Sequence, residues 1–232
     1  AMCLGRPVAS TMRGMSRNLI YSFGRVHRDL RISVTDRCNI RCFYCMPNEN
    51  VQFKPRDEIL SFEEIARFAR IMAACGVNKM RITGGEPLLQ APALARLLEL
   101  LPDVTVEIET NGTTKASPSL DIRIDQFNVS PKLAHSGNPA DLALIPERLD
   151  AYATDPRAWF KFVIAAPADL DEVLALRDRY RFKRDHVFLM PEGTDSATLR
   201  AREQWLAPLC VEHGFRMSDR LHIHLFGDTR GT

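Results

Sequence analysis

Leu30-Arg-Ile-Ser-Val34-Thr-Asp-Arg-Cys38-Asn-Ile-Arg-Cys42-Phe-Tyr-Cys45-Met-Pro47 decides how this chain is built. Leu30, Ile32 and Val34 alternate with polar residues, the period of a short strand. The stretch after Val34 is polar, holds three cysteines and stops at a proline. The cysteine offsets of 4 and 7 would also share one face of a helix, but Asn39 and Pro47 favour a loop. Working outward, similar runs predict strands at Met80–Thr83, Val104–Thr110, Gln126–Ser130, Ala158–Ile164, Val187–Met190 and Leu221–Phe226. Helical patterns lie between them at Ser61–Cys75, Pro92–Leu101, Asp169–Tyr180 and Ser196–His213. Ser61 and Glu64 form a capping box ahead of an apolar face at Ile65, Phe68, Ile71 and Met72.

Strand–helix alternation predicts parallel strands joined by right-handed crossovers. Six or seven strands are too few for a closed eight-fold barrel of about 250 residues. An α/β fold of the partial (β/α)6 type, an open TIM barrel, is therefore expected, with a doubly wound sheet as the alternative. In both, function gathers at the C-terminal strand ends. The polar stretches Thr35–Pro47, Gly84–Pro87, Asn111–Thr114, Pro131–His135 and Pro191–Asp195 come after strands in just that way. One core domain is expected over 21–232, after a flexible basic leader at 1–20.

The 232 residues carry 31 basic and 29 acidic side chains, a net charge of +2. No global field draws such a chain to nucleic acid, and no apolar run approaches the ~20 residues of a membrane span. From Ala1 to Arg28 there are five arginines (Arg6, Arg13, Arg17, Arg25, Arg28) and no acidic residue. That start resembles an organellar transit peptide, with a bacterial leader as the alternative. A cytoplasmic location is expected, or an organellar matrix if the leader is a transit peptide. In a reducing compartment the six cysteines suggest metal or redox chemistry rather than disulfides.

Cys38, Cys42 and Cys45 form a C-x3-C-x2-C spacing that arises by chance in about 0.4% of chains with this cysteine content. A closed zinc site needs four ligands, and no further pair has zinc-finger spacing. Three thiolates suit a [4Fe–4S] cube with one iron left open. Zinc or a buried thiol cluster are the other readings.

This loop after the first strand, with Tyr44 before its last cysteine and Gly84-Gly-Glu-Pro87 after the second strand, resembles the radical S-adenosylmethionine (SAM) superfamily. The resemblance implies a barrel of the radical SAM kind, in which the open iron binds SAM. It places Tyr44 beside the adenine, and Gly84, Gly85 and Glu86 near the SAM amino group. It also implies a small-molecule substrate and an electron donor such as flavodoxin or ferredoxin; a homodimer is a further expectation.

Within the superfamily two families are echoed. Ser22-Phe-Gly-Arg25, Leu30–Cys38, Cys45-Met-Pro47 and Lys79–Pro87 are similar to GTP 3′,8-cyclase of molybdenum cofactor synthesis, where arginines at the positions of Arg31 and Arg81 hold the purine nucleotide. From Gln90 onward, Glu109-Thr-Asn111-Gly-Thr, Val129-Ser-Pro-Lys-Leu133, Phe160-Lys-Phe-Val163, Met190-Pro-Glu-Gly-Thr194 and Leu221–Gly231 are similar to 7-carboxy-7-deazaguanine synthase of the queuosine pathway. That similarity implies SAM contacts from Ser130, Pro131 and Lys132 and from Met190, Pro191 and Glu192. Thr83, with Glu109 and Asn111, is implied to touch the substrate. The chain lacks the cyclase's second cluster, leaving only Cys210 in the last third, on an apolar helix face. It also lacks the synthase's Gln-Gly-Glu-Gly segment. Met46-Pro47 replaces the synthase's Asp-Thr, which removes the support for Mg2+. Chain length and the C-terminal half favour a carbon–nitrogen lyase of the synthase type acting on a GTP-derived pterin. The alternatives are a cyclase-like enzyme, a splice of the two patterns near Leu89, and a non-catalytic iron–sulfur protein.

Other residues carry less. His222 and His224 alternate on a predicted strand and would share a face. Lys161 interrupts an apolar strand and would point either into the barrel or to solvent. Cys3 and Cys75 have no ligand spacing, and the charge run from Arg177 to Asp185 reads as a solvated helix end.

Overall fold

The computed structural model describes residues 18–20, 24–46 and 51–229. The expected leader therefore lies almost wholly outside the described residues, as do Cys3 and Pro47. Among those described, seven strands form one sheet: β1 (Asp29–Ser33), β2 (Lys79–Thr83), β3 (Thr105–Thr110), β4 (Gln126–Val129), β5 (Ala158–Ile164), β6 (Val187–Pro191) and β7 (Arg216–Met217). All pairings are parallel and the spatial order equals the chain order. A doubly wound sheet would need a switch point in that order. There is none, so the open partial barrel is the architecture.

Crossovers of one hand put the helices on one face of such a sheet. They are α1 (Phe62–Ala74), α2 (Ala91–Leu100), α3 (Pro118–Asp121), α4 (Ala140–Ala143), α5 (Pro146–Ala153), α6 (Ala168–Tyr180), α7 (Ser196–His213) and α8 (Leu221–Phe226). The Ser61–Glu64 capping box forms in full at the start of α1. Pro146 at the first turn of α5 marks a helix the apolar periodicity did not reveal.

The side-chain period of two divides each strand's residues between the two faces. Ile32, Met80, Ile82, Val106, Ile108, Phe127, Val129, Phe160, Phe162, Ile164, Val187 and Leu189 are buried on the convex face, under the helices. Their neighbours Arg31, Arg81, Glu107, Glu109, Asn128 and Lys161 share the concave face. No helix of the described residues is long and apolar enough to cross a membrane.

One expected strand is corrected. Leu221–Phe226 is the helix α8, and the last strand is the two-residue Arg216–Met217, paired with Phe188 and Leu189. The His-Ile-His alternation imitates a strand over too short a window to decide the period. His222 and His224, two positions apart, therefore fall on opposite sides of a helix. His222 is exposed, whereas His224 receives or gives hydrogen bonds at both ring nitrogens: Nδ1 lies 2.7 Å from Ser196 Oγ, and Nε2 3.1 Å from Glu203 Oε1.

Candidate functional site

The cysteine loop leaves the end of β1 and is held by the end of β2. Val34 N donates to Thr83 O, Gly85 N to Thr35 O (2.8 Å) and Glu86 N to Arg37 O (2.8 Å). This contact explains the glycine pair. A Cβ on Gly84, at φ +141, would lie 2.3 Å from Thr35 O, and one on Gly85 would lie 2.1 Å from Arg37 O. Only glycine admits backbone this close. Glu86 is fully buried and points away from the loop's open side. Its carboxyl accepts from Thr110 Oγ1, Asn111 N and Leu88 N, so it ties the ends of β2 and β3 together. Burial outweighs those hydrogen bonds and raises its pKa.

A cavity of about 320 Å3 opens at the C-terminal ends of the strands. Cys38, Cys42 and Cys45 all line it, with Tyr44, Gly84, Gly85, Ser130, Lys132, Met190 and Glu192. From the concave face Arg31, Thr83, Glu109 and Asn111 reach it as well. Glu86, Pro131 and Pro191 are buried outside its lining. Arg81, opposite Arg31 in the register, is outside the lining and has its Nε 2.7 Å from Glu107 Oε2.

The floor is a lattice of paired charges. Glu109 Oε2 accepts from Arg31 Nη2 (2.7 Å) and Thr83 Oγ1 (2.7 Å), and its Oε1 lies 3.5 Å from Arg81 Nη1. Burial pushes the Glu109 carboxyl up, but the Arg31 hydrogen bond and charge, with Lys161 and Thr83, hold it below the ordinary carboxylate value. Lys161 points inward, which answers the question its sequence left open. Desolvation lowers its pKa, against the pull of Glu109, and Lys132, Arg31 and Arg81 lower it further.

Sequence reading missed Asn128 and Arg220, which also line the cavity. For Asn128 a signal existed: Gln126, Asn128 and Ser130 alternate with Phe127 and Val129, so the polar side of β4 had to face the site. Arg220 donates to Gly193 O at 2.6 Å from a turn that precedes α8, and misreading that helix hid it. Cys210 is a buried thiol on α7, its pKa pushed up to about 11 by burial. Glu203, Asp219 and His224 bring three ligand-type atoms within 4.8 Å of one another, but they already pair with each other and fasten α8 to α7.

The three sulfurs suit an iron–sulfur cube. They face one cavity, soft thiolates favour that chemistry, and among the described residues no histidine or fourth cysteine lines it. Burial raises the Cys42 thiol, while Lys132, Asn138 and Tyr44 act against it. Burial raises the pKa of Tyr44, and the neighbouring Cys42 adds to that shift; its ring centroid lies 5.7 Å from that of His135.

Comparison with known proteins agrees with this geometry. The sequence profile of the Radical SAM superfamily matches residues 32–136, from β1 through the turn after β4. A 7-carboxy-7-deazaguanine synthase of Pyrobaculum aerophilum is 37% identical over 198 residues, 84% of each chain. A GTP 3′,8-cyclase of Acidothermus cellulolyticus is 53% identical over 109 residues, but these are 44% of this chain and only 30% of the cyclase. Among solved structures, QueE from Escherichia coli superposes with a TM-score of 0.54 at 21% identity, covering 82% of this chain and 84% of that one. Streptococcus suis SuiB bound to S-adenosylmethionine gives 0.58 at 15% identity, over 83% of this chain and 50% of that one. These structures share the fold, and the identity to the archaeal synthase across nearly the whole of both chains settles the kinship: the chain belongs to the radical SAM superfamily.

Proposed function

We propose that the protein is a radical SAM carbon–nitrogen lyase of the 7-carboxy-7-deazaguanine synthase type. It would contract 6-carboxy-5,6,7,8-tetrahydropterin to 7-carboxy-7-deazaguanine with loss of ammonia. The observation that carries this reading is the match to a relative of that name over 84% of both chains. The chain spans only 30% of the Acidothermus cyclase. High identity over that shorter stretch keeps GTP 3′,8-cyclase chemistry as the second reading.

Cys38, Cys42 and Cys45 would hold the [4Fe–4S] cluster, and Ser130, Lys132, Met190, Glu192 and Tyr44 would surround SAM. Bound together, the two cofactors supply hydrogen-atom abstraction, which no side chain here can perform. The chain's own part is recognition and shielding. Arg31, Thr83, Glu109, Asn128 and Lys161 offer donors and acceptors on one face, suited to a bicyclic heterocycle rich in nitrogen and oxygen. Lys161, which lines the cavity without an ion pair to Glu109, suits a substrate carboxylate. The apolar walls Ile40, Val163 and Met190 keep water from a reactive centre. Mg2+ stays outside the proposal, because Met46 lines the cavity with a thioether where a hard cation wants oxygen. A one-electron donor of the flavodoxin or ferredoxin class would complete the system.

The test is anaerobic reconstitution, then dithionite and SAM with each candidate substrate separately, followed by mass spectrometry. Release of 5′-deoxyadenosine and formation of carboxydeazaguanine from the carboxytetrahydropterin are expected. Turnover of GTP alone replaces the first reading with the second. A colourless protein loaded with zinc overturns both.

A further inference from the structure

Two carboxamides are aimed at the cysteine sulfurs. Asn138 Nδ2 lies 3.3 Å from Cys42 Sγ, and Asn111 Nδ2 lies 3.6 Å from Cys38 Sγ. Their orientation is fixed by neighbours that can only donate. Arg41 N points at Asn138 Oδ1 (2.7 Å), and Thr113 N points at Asn111 Oδ1 (2.9 Å). A backbone N–H requires the oxygen on its side, so the amide nitrogen of each asparagine must face the sulfur. The turn carrying Asn138 grips Cys42 from both flanks, since Phe43 N also donates to Ser136 O at 3.2 Å. Among the described residues no carboxamide reaches Cys45.

We propose that Asn138 and Asn111 are positioning residues whose N–H···S hydrogen bonds stabilise negative charge on Cys42 and Cys38 and so make a cluster bound there easier to reduce. The inference rests on the reading that these cysteines hold an iron–sulfur cluster. When one electron passes from an external donor to the cluster, charge spreads onto its sulfurs, and a hydrogen bond to a ligand sulfur strengthens as that charge grows. No proton or bond changes hands. Asn138, at the shorter distance, carries the larger share.

The experiment is a redox titration of the reconstituted full-length protein without SAM, poised with dithionite and followed by electron paramagnetic resonance, with iron per chain counted alongside. Asn138→Asp keeps the oxygen that receives Arg41 N but loses the donor and adds charge. Its midpoint is expected to fall, leaving about five- to tenfold less reduced cluster at the wild-type midpoint. Asn111→Asp keeps the acceptor for Thr113 N and is expected to shift the midpoint in the same direction by less. A wild-type midpoint in Asn138→Asp with full iron content overturns the inference, because a purely structural brace is preserved in that variant. If Asn138→Asp holds no iron, Asn111→Asp decides: an unchanged midpoint there overturns the proposal. Wild-type protein that binds no iron refutes the cluster itself, a different failure from an unmoved potential.

Discussion

The two faces of the sheet are made of alternate residues on the same strands, yet they obey opposite rules. On β5, Phe160, Phe162 and Ile164 are sealed under the helices, while Lys161 between them faces the cavity. On β3 the same alternation sets Val106 and Ile108 against Glu107 and Glu109. A closed eight-stranded barrel fills its interior with branched apolar side chains. Leaving the barrel open moves the main core to the convex side. The concave face is then free to hold charges, provided they are paired. Glu107 shows how far this goes: it is 5% exposed and is matched by Arg81 Nε, Lys79 Nζ and Asn128 Nδ2.

If the division is real, lesions on the two sides must fail in different ways. The largest effect is expected from Cys42→Ala, at the rim of the concave side. Cleavage of SAM to 5′-deoxyadenosine should vanish and iron per chain should fall, while the thermal unfolding temperature without cofactor stays near wild type. Retained cleavage removes Cys42 from the ligand set. Phe162→Ala on the convex side should do the reverse. Loss of a fully buried phenyl ring is expected to cost about 3–5 kcal/mol in urea unfolding, with iron binding retained at low temperature. Gly85→Ala joins the two sides, since its new methyl would stand 2.1 Å from Arg37 O and must displace the cysteine loop. An overpacking cost of about 1–3 kcal/mol is expected, together with substoichiometric iron.

The extent to which the sequence foretold this arrangement tracks the same division. Six strands and four helices showed themselves because convex residues keep a strict period against an apolar layer, and cysteine spacing is independent of folding context. The charged floor was only partly legible. Arg31, Thr83 and Glu109 came from a family resemblance, whereas Lys161 feels the charge of Glu109 across β4, a relation that sheet order creates and no local pattern encodes. That the glycine pair must also admit the backbone of Thr35 and Arg37 is a long-range contact no local pattern encodes. α8 was lost to its short alternation. Its burial depends on one residue, Ile223, and on the His224 contacts with α7, which lie 21 and 28 positions earlier, outside any local window.

The smallest expected effect is also the sharpest test of the concave side. Lys161 stands in a poorly solvated place that lowers its pKa, with Glu109 acting against the shift and Lys132, Arg31 and Arg81 adding to it. A base whose folded pKa lies below its unfolded value binds fewer protons in the folded state. Its penalty is therefore fully present below the folded pKa and fades as pH rises toward the unfolded value. Lys161→Met should accordingly raise the unfolding temperature of the substrate-free protein at neutral pH by about 2–4 °C, roughly 1 kcal/mol at this size. The advantage should shrink as pH climbs toward that of a free lysine, and affinity for a carboxylate-bearing substrate should weaken. Glu109 keeps Arg31 and Arg81 in that variant, so no unpaired carboxylate confuses the result. A variant less stable than wild type at neutral pH would show that the Glu109 attraction outweighs desolvation, and that the floor of the site is a source of stability rather than a charge held in place for a ligand.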